Sequence, residues 1–186
     1  MSPITLRNVR CSYPELFKPK FFGKKPAQPG QEPKYSCTFI LDKKLHAELI
    51  ADIRATAKAV AEEKWGKGKV PSSVKVCLRD GSEKADTDGY GPEVMFVSSS
   101  STKRPSVVDR LLSPLEADTT KLYAGCYINA FILLWAQDNE YGKRVNAELK
   151  AVQLVRDGDP FGKKPVDAAE VFMPMDQDDE AASLMG

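Results

Sequence analysis

The pattern of apolar and polar positions predicts a chain built mainly from β-strands. From Lys34 to Leu41 the apolar residues Tyr35, Cys37 and Phe39 alternate with polar ones, which is typical of a half-buried strand with one polar face. Similar patterns predict further strands at residues 4–13, 74–79, 93–98, 105–109, 125–136 and 145–156. The last two flank a charged loop at 137–144, so we expect them to form a hairpin.

One amphipathic helix is predicted directly after the strand that ends near Leu41. Asp42 is a residue type that caps helices, and apolar residues recur every three to five positions from Leu45 to Trp65. Gly66 marks the end of the helix. We expect its apolar face to pack on the sheet.

Several stretches interrupt these periods. Residues 14–33 are rich in proline and glycine and are predicted to form a loop. The serines at 98–101 are predicted to form a flexible connector. In the last strand the apolar positions change parity between Ala151 and Val152, which indicates a bulge.

About seven short strands and one helix, without regular alternation between them, exclude a parallel α/β sheet. We predict a mainly β fold: an OB-fold-like antiparallel barrel with one amphipathic helix, formed by residues 1–162. No core-forming period follows, so residues 163–186 are predicted to be a disordered acidic tail.

Charge is distributed unevenly along the chain. None of the 27 basic residues follows Lys164, whereas six of the 26 acidic residues do. The net charge of +1 therefore divides into +7 up to Lys164 and −6 after it. A basic body with an acidic end suggests a polyanionic partner such as nucleic acid, although an acidic end also aids solubility.

Neither a metal nor another cofactor is expected. The four cysteines, Cys11, Cys37, Cys77 and Cys126, are far apart in the sequence, and the only histidine is His46. Zinc requires thiolates or imidazoles clustered at loop spacing, so these residues are predicted to be reduced thiols in apolar surroundings.

No targeting or membrane segment is predicted. The N-terminus lacks a basic segment followed by an apolar run, and the longest apolar run, residues 130–136, is too short to cross a bilayer. Together with the reduced cysteines, this favours a cytosolic environment.

Single-strand binding requires cations for the phosphates and aromatic faces for the bases. Both interleave in the predicted first loop, and Tyr127, Phe131 and Trp135 share one face of the long strand. Trp135 is our preferred stacking residue because it lies nearest the charged loop. The predicted DNA-binding residues are Phe17, Lys18, Lys20, Phe22, Lys24, Lys25, Tyr90, Arg104, Tyr123, Trp135, Tyr141, Lys143 and Arg144.

The aromatic residues also have structural interpretations. The phenylalanines of the first loop can fold back to plug the barrel, and a helix or loop can cover the aromatic face of the long strand. The sequence leaves both alternatives open.

The acidic tail has a regulatory role in this hypothesis. Its charge allows it to occupy the basic groove as a mimic of DNA, until DNA displaces it and frees it for a partner protein. The predicted partner-binding residues are Asp176, Asp178, Asp179, Glu180, Leu184 and Met185.

Six segments in order along the chain resemble the single-stranded DNA-binding proteins of tailed bacteriophages. They are SYPELFKPK, EPKYSCTFIL, CLRDG, RPSVVD, LYAGCYINAFILLWAQDNEYGKRV and VQLVRDGDPFG, spread over residues 5–162. The resemblance implies an OB-fold, a role in phage replication and recombination in the cytoplasm of the infected host, and a tail that contacts replication or recombination proteins. A homodimer is compatible with it. Related tails commonly end in an aromatic residue, whereas this one ends Leu184-Met185-Gly186.

Two other functions compete with this hypothesis. Asp138, Glu148 and Lys150 have the order of a Mg²⁺-dependent nuclease, in which two carboxylates hold the metal and the lysine orients water. Turn formation and solvation explain the same residues. The other competitor is an interaction or virion protein that does not bind DNA.

Overall fold

The computed structural model describes residues 1–23, 27–117, 121–162 and 168–175. The strands are β1 (Ser2–Lys20), β2 (Lys34–Asp42), β3 (Lys75–Val76), β4 (Leu78–Asp80), β5 (Val94–Ser101), β6 (Ser106–Val108), β7 (Tyr127–Asn139) and β8 (Gly142–Arg156). The helices are α1 (Ala47–Trp65) and α2 (Ala168–Val171), with a short 3₁₀ helix at Gly81–Lys84.

Five strands close into a barrel in the order β1, β2, β5, β8, β7 and back to β1. Four of the ladders are antiparallel, whereas β5 and β8 close the barrel in parallel at Ser99–Ala147 and Ser100–Glu148. This five-stranded barrel confirms the OB-fold-like prediction, with one parallel ladder that the sequence did not reveal.

The core lies inside the barrel and under α1. Inward-facing residues of all five strands are buried, and Ile50, Ile53 and Val60 of α1 join the same core. Alternation along β7 is as predicted, because Ile128, Ala130, Ile132 and Leu134 are buried and the residues between them are not. The helix therefore closes the barrel with its apolar stripe.

The start of α1 differs in detail from the prediction. Asp42 accepts hydrogen bonds from the backbone N–H groups of Lys44 and Leu45 at 2.8 and 2.9 Å, so it caps the turn that precedes the helix. These two bonds lower the pKa of its carboxyl group. Leu45 was expected on the apolar face but is exposed, because the helix begins only at Ala47.

The prediction of a loop at residues 14–33 is wrong for its first third, because β1 continues through Pro14 and Pro19 to Lys20. Pairing with β7 ends at Arg10, and the ladder with β2 shifts register twice between Ser12 and Lys20. Proline fits such an edge or bulge because its missing N–H removes no ladder hydrogen bond there.

The prediction of a flexible connector at the serines 98–101 is also wrong. Residues 98–101 belong to β5 and pair with β2 as far as Tyr35–Ser101. The Ser99 hydroxyl donates to the Cys37 carbonyl at 2.8 Å, which satisfies a buried polar group that is otherwise costly. The predicted polar face of β2 is covered as well, since Ser36 and Thr38 are buried.

The final hairpin is longer than predicted. Most of the expected 137–144 loop belongs to β7 and β8, which pair as far as Asn139–Gly142. The predicted bulge is confirmed: Phe131 pairs with Ala151 and Ile132 pairs with Leu149, so Lys150 is the extra residue.

Three of the four cysteines meet in the core. The Sγ atoms of Cys11 and Cys37 lie 3.5 Å apart, and Cys126 is buried beside them. All four cysteines are free, as predicted, and burial raises the pKa of the half-buried Cys77 to about 11. Among the described residues no helix is long and apolar enough to cross a membrane.

Gly125 is required by the close approach of two segments. It has φ of +112°, and an added Cβ would overlap the backbone of Asp159 and Pro160.

We expect Gly125→Ala to lower the free energy of unfolding by more than about 1–3 kcal/mol, because overlap adds to backbone strain. Urea denaturation measures the change. Gly142→Ala is the matched control, since Gly142 has φ of +111° in open space. Equal losses in both variants would contradict the packing role of Gly125.

Candidate nucleic-acid interface

Three aromatic side chains from distant parts of the chain meet on the outer face of the barrel. Tyr90 makes an edge contact with Phe96 at 5.2 Å between ring centroids and lies 6.5 Å from Tyr13. Phe96 is fully buried, whereas 54% of Tyr13 is exposed. We call Tyr13, Tyr90 and Phe96 the aromatic cluster.

Cations approach the aromatic cluster. The Lys84 ammonium lies 5.5, 5.4 and 5.1 Å from the ring centroids of Tyr13, Tyr90 and Phe96. The Arg79 guanidinium lies 5.3 Å from the Phe96 centroid. The cluster therefore combines one exposed ring, that of Tyr13, with positive charge, which is the chemistry that binds stacked bases and their phosphates.

Residues 80–91 hold the cluster in place. Asp80 accepts from the Lys43 ammonium at 2.7 Å and from the Ser82 N–H at 2.9 Å, which caps the 3₁₀ helix that carries Lys84. These bonds hold the pKa of Asp80 well below its usual range. At the other end of the segment the Tyr90 hydroxyl donates to Ser12 Oγ at 2.9 Å, and burial raises the pKa of Tyr90.

Small hydroxyl side chains form the sheet surface beneath the cluster. Ser12, Thr38 and Ser98 pair across β1, β2 and β5, and Ser36 pairs with Ser100 in the next row. Cys37 and Phe39 between them face the core, so the hydroxyl residues face outward. Ser98 is exposed and Ser100 is half-buried, whereas Ser12, Ser36 and Thr38 are buried, so only the β5 side of this surface reaches solvent.

One end of the same face is basic. Lys20 pairs with Lys34 where β1 ends and β2 begins, and the next residue, Tyr35, pairs with the last residue of β5. The exposed Lys103 and Arg104 follow β5 directly, so the register brings them to the same end. The register thus brings the predicted Lys20 and Arg104 to the same end, and the predicted Lys18 precedes Lys20 in β1. Lys20 also contacts Glu15.

The phenylalanines of the first segment separate. Phe17 packs against the core, which agrees with the alternative in which these phenylalanines fold back onto the barrel. Phe21 and Phe22 are exposed. Phe22 therefore remains available to a base. Lys24 and Lys25 lie outside the described residues.

The aromatic face of β7 exists as predicted but lies elsewhere. β7 is flanked by β1 and β8, so its outer face points away from that of β2 and β5. Tyr127 is held by Arg156 and Arg10, at 3.6 and 5.6 Å from its ring centroid. Trp135 is half-buried and Phe131 is 38% exposed, so the face is only partly covered.

The other predicted residues lie near the turn after β8 or at the end of the β7–β8 hairpin. The Tyr123 hydroxyl bonds to Asp157 Oδ1, the Gly158 carbonyl and the Gly158 N–H at 2.9, 3.0 and 3.1 Å, which fastens the turn after β8. Tyr141 is exposed at the β7–β8 turn, Lys143 lies 3.8 Å from Asp138, and Arg144 is exposed on β8. These four residues do not join the aromatic cluster.

Sequence reasoning missed Tyr13, Arg79, Lys84 and Phe96. A signal for Phe96 was present, because Met95, Phe96 and Val97 form a continuous apolar run, which indicates a strand covered on both faces. No comparable pattern linked Tyr13 or Lys84 to it.

The predicted tail begins beside the aromatic cluster. The Gly162 N–H donates to Asp88 Oδ2 at 2.9 Å, and the Phe161 ring lies 4.2 Å from the Arg10 guanidinium. An added Cβ on Gly89 would overlap Phe161, so Phe161, just before the predicted tail, packs against the residue that precedes Tyr90. Asp176, Asp178, Asp179, Glu180, Leu184 and Met185 lie outside the described residues. The described part includes the short helix α2, which the sequence did not predict.

The nuclease arrangement does not form. Asp138 accepts from Trp65 Nε1 at 2.8 Å and pairs with Lys143 in the ladder, whereas Glu148 pairs opposite Leu133 and binds Lys150 at 2.8 Å. Asp138 lies five residues along β7 from Leu133, the partner of Glu148, so the backbone positions of the two acids are about 16 Å apart along the strand. Within the described residues no cluster of three metal-ligating side chains occurs.

Comparisons with known proteins agree with this fold. A family model described as "Enterobacter phage Enc34, ssDNA-binding protein" matches residues 2–182. Protein p50 of Acyrthosiphon pisum secondary endosymbiont phage 1 is 38% identical over 189 residues, which cover 97% of this chain and 98% of p50.

Solved structures are similar as well. The single-stranded DNA-binding protein from bacteriophage Enc34, in complex with ssDNA, has a TM-score of 0.73 and 30% identity over 87% of this chain and 90% of that one. The single-stranded DNA-binding protein gp2.5 of bacteriophage T7 has a TM-score of 0.57 and 15% identity, over 92% and 95% of the two chains. The likeness to gp2.5 concerns the fold alone.

Proposed function

This chain belongs to the family of the Enterobacter phage Enc34 ssDNA-binding protein, and we propose that it coats single-stranded DNA with little sequence preference. The observation that carries the proposal is the aromatic cluster with Lys84, on the outer face of β1, β2 and β5. The β2 and β5 strands are the second and third of the barrel, whose outer face is where OB-folds bind oligonucleotides.

The proposed path of the strand crosses the aromatic cluster and continues to the basic end of the face. Bases stack on Tyr13, which is exposed, and contact Tyr90, which is half-buried beside it. Phosphates lie against Lys84, Lys34 and the cations after β5. A second contact around Trp135 and the β7–β8 turn stays a prediction.

The family is one of ssDNA-binding proteins and not of enzymes, as expected from the sequence. This membership, together with the separation of Asp138 from Glu148, contradicts the nuclease alternative. It also argues against an interaction or virion protein that does not bind DNA.

The acidic tail is proposed to regulate the same face. Because Phe161 and Gly162 pack beside Tyr90, residues 163–186 begin where the DNA would lie. The −6 charge of residues 165–186 allows them to compete with phosphates. Once displaced, the tail binds replication or recombination proteins. The proposed setting is the cytoplasm of the infected bacterial host, with residues 1–162 as the binding domain.

Salt dependence tests the proposed function. We expect fluorescence anisotropy with labelled oligo-dT to show binding at low salt. The logarithm of Kd should rise linearly with the logarithm of the salt concentration. The slope should be about 0.7 per neutralised phosphate, because counterions are released from a single strand. A duplex of equal length is the control for strand preference. Absence of binding at low salt, or a slope near zero, would contradict the proposal.

A further inference from the structure

An open groove lies at the end of the barrel that α1 closes. One wall is α1, and the other is the segment at residues 68–78 between α1 and β4. The groove has a volume of about 590 Å³, and its floor is apolar, with Ala61, Val74, Leu78 and Met95 among the lining residues. We call it the α1 groove.

The rim of the α1 groove carries two exposed cations. Arg54 and Lys58 lie one helical turn apart on α1, and both line the groove. The only carboxylate among the described lining residues is Glu62, and it is 4.0 Å from Lys58. An apolar floor with a positive rim fits an apolar segment that is followed by acidic residues.

The α1 groove and the aromatic cluster are separate surfaces. Leu78 and Met95 line the groove, whereas their neighbours on the same strands, Arg79 and Phe96, belong to or contact the cluster. Successive strand residues point to opposite faces, so a ligand in the groove leaves the DNA face uncovered.

A segment with the matching chemistry occurs in the same chain. Val171, Phe172, Met173 and Met175 are all exposed, and 72% of Phe172 is accessible. Four large apolar side chains within five residues are unusual for a solvated surface and indicate a binding segment. In the sequence they are followed by the four acidic residues at 176–180.

We propose that the α1 groove binds residues 171–180 of a second copy of this protein. Phe172 and Met173 fill the apolar floor, and the acidic residues that follow lie against Arg54 and Lys58. A second copy is favoured because, within one described chain, both the groove and the apolar segment are open to solvent. Head-to-tail contacts of this kind link copies in an open row instead of a closed dimer.

The consequence for DNA binding rests on the proposed function. DNA that displaces the tail from the aromatic cluster frees residues 171–180 for the neighbouring copy. Adjacent copies on one strand then stabilise each other, which makes binding cooperative on long strands and leaves the affinity of a single copy unchanged.

Peptide binding tests the groove without DNA. A fluorescent peptide of residues 168–180 is titrated with the full-length Phe172→Ser/Met173→Ser variant, whose own segment is inactivated. We expect saturable binding that weakens about tenfold or more when Arg54→Glu/Lys58→Glu is added, because like charges then face each other. Val76→Asp, at an exposed lining position, should also weaken it. Lys64→Glu, exposed on α1 outside the groove, is the control and should bind normally.

Sedimentation of mixed variants tests whether the contact joins two copies. The wild type should associate with rising concentration, and the Phe172→Ser/Met173→Ser and Arg54→Glu/Lys58→Glu variants should each remain monomeric. An equimolar mixture should restore dimers, because one variant supplies a groove and the other a segment. A wild type that stays monomeric while the peptide binds would place the contact within one chain and overturn the proposal. Equal peptide binding by the Arg54→Glu/Lys58→Glu and Lys64→Glu proteins would also overturn it.

Discussion

Tyr13→Ala is expected to weaken binding to a short oligo-dT by roughly one to two orders of magnitude, because base–aromatic stacking is worth about 1–3 kcal/mol per base. Tyr13 is the most exposed member of the aromatic cluster. Its ring contacts Tyr90 and Lys84. Both of these residues stay in place in the variant, so only the Tyr13 ring is lost. Fluorescence anisotropy at low salt measures the change in Kd.

Two variants make this experiment specific. Tyr13→Phe keeps the ring and should bind nearly as the wild type does, which separates stacking from hydrogen bonding. Both replacements leave a non-glycine residue at the positive φ of 47°, so backbone strain is matched. Phe131→Ala removes an exposed aromatic from the outer face of β7 and should leave affinity unchanged. Loss in Phe131→Ala with none in Tyr13→Ala would place the strand on β7 instead.

Removal of residues 166–186 is expected to tighten binding to the same short oligonucleotide. A tail that occupies the DNA face for about nine-tenths of the time raises the apparent Kd about tenfold, because only the open fraction binds. The short oligonucleotide holds one copy, so contacts between neighbours do not contribute. The effect should shrink as salt rises, since salt screens the attraction of the tail for the basic face.

A full-length control separates charge from length. Asp176→Asn, Asp178→Asn, Asp179→Asn and Glu180→Gln together remove four of the six negative charges after Lys164 and keep the chain intact. We expect this variant to recover most of the gain in affinity. If both the truncated and the neutralised protein bind no better than the wild type, the tail does not compete with DNA.

Local periodicity predicted most of the elements correctly, because it reflects which side of a strand or helix is buried. The alternation in β7 and the parity change at the Lys150 bulge were both visible in the sequence. Where the prediction failed, a tertiary contact replaced a local preference. The serines of β5 became a strand because β2 and β8 pair with them, and β1 kept its prolines where pairing with β7 had ended.

The candidate site was harder to predict than the fold. Sequence analysis selected aromatic residues that cluster along the chain, such as those of the first segment and of β7. The structure divides that set between the core, two faces and a turn, as the separation of Phe17 from Phe22 illustrates. Of the aromatic cluster only Tyr90 was selected, because its partners Tyr13 and Phe96 are distant in sequence.

By itself the sequence determined the strand-rich barrel, the amphipathic helix, the basic body and the acidic end, because each depends on the order and type of neighbouring residues. Only the tertiary structure decided which aromatic rings and cations share a surface. Barrel closure and strand register bring Tyr13 and Phe96 onto one outer face, where the segment after β4 adds Lys84 and Tyr90. Such contacts join residues far apart in the chain, so no local pattern encodes them.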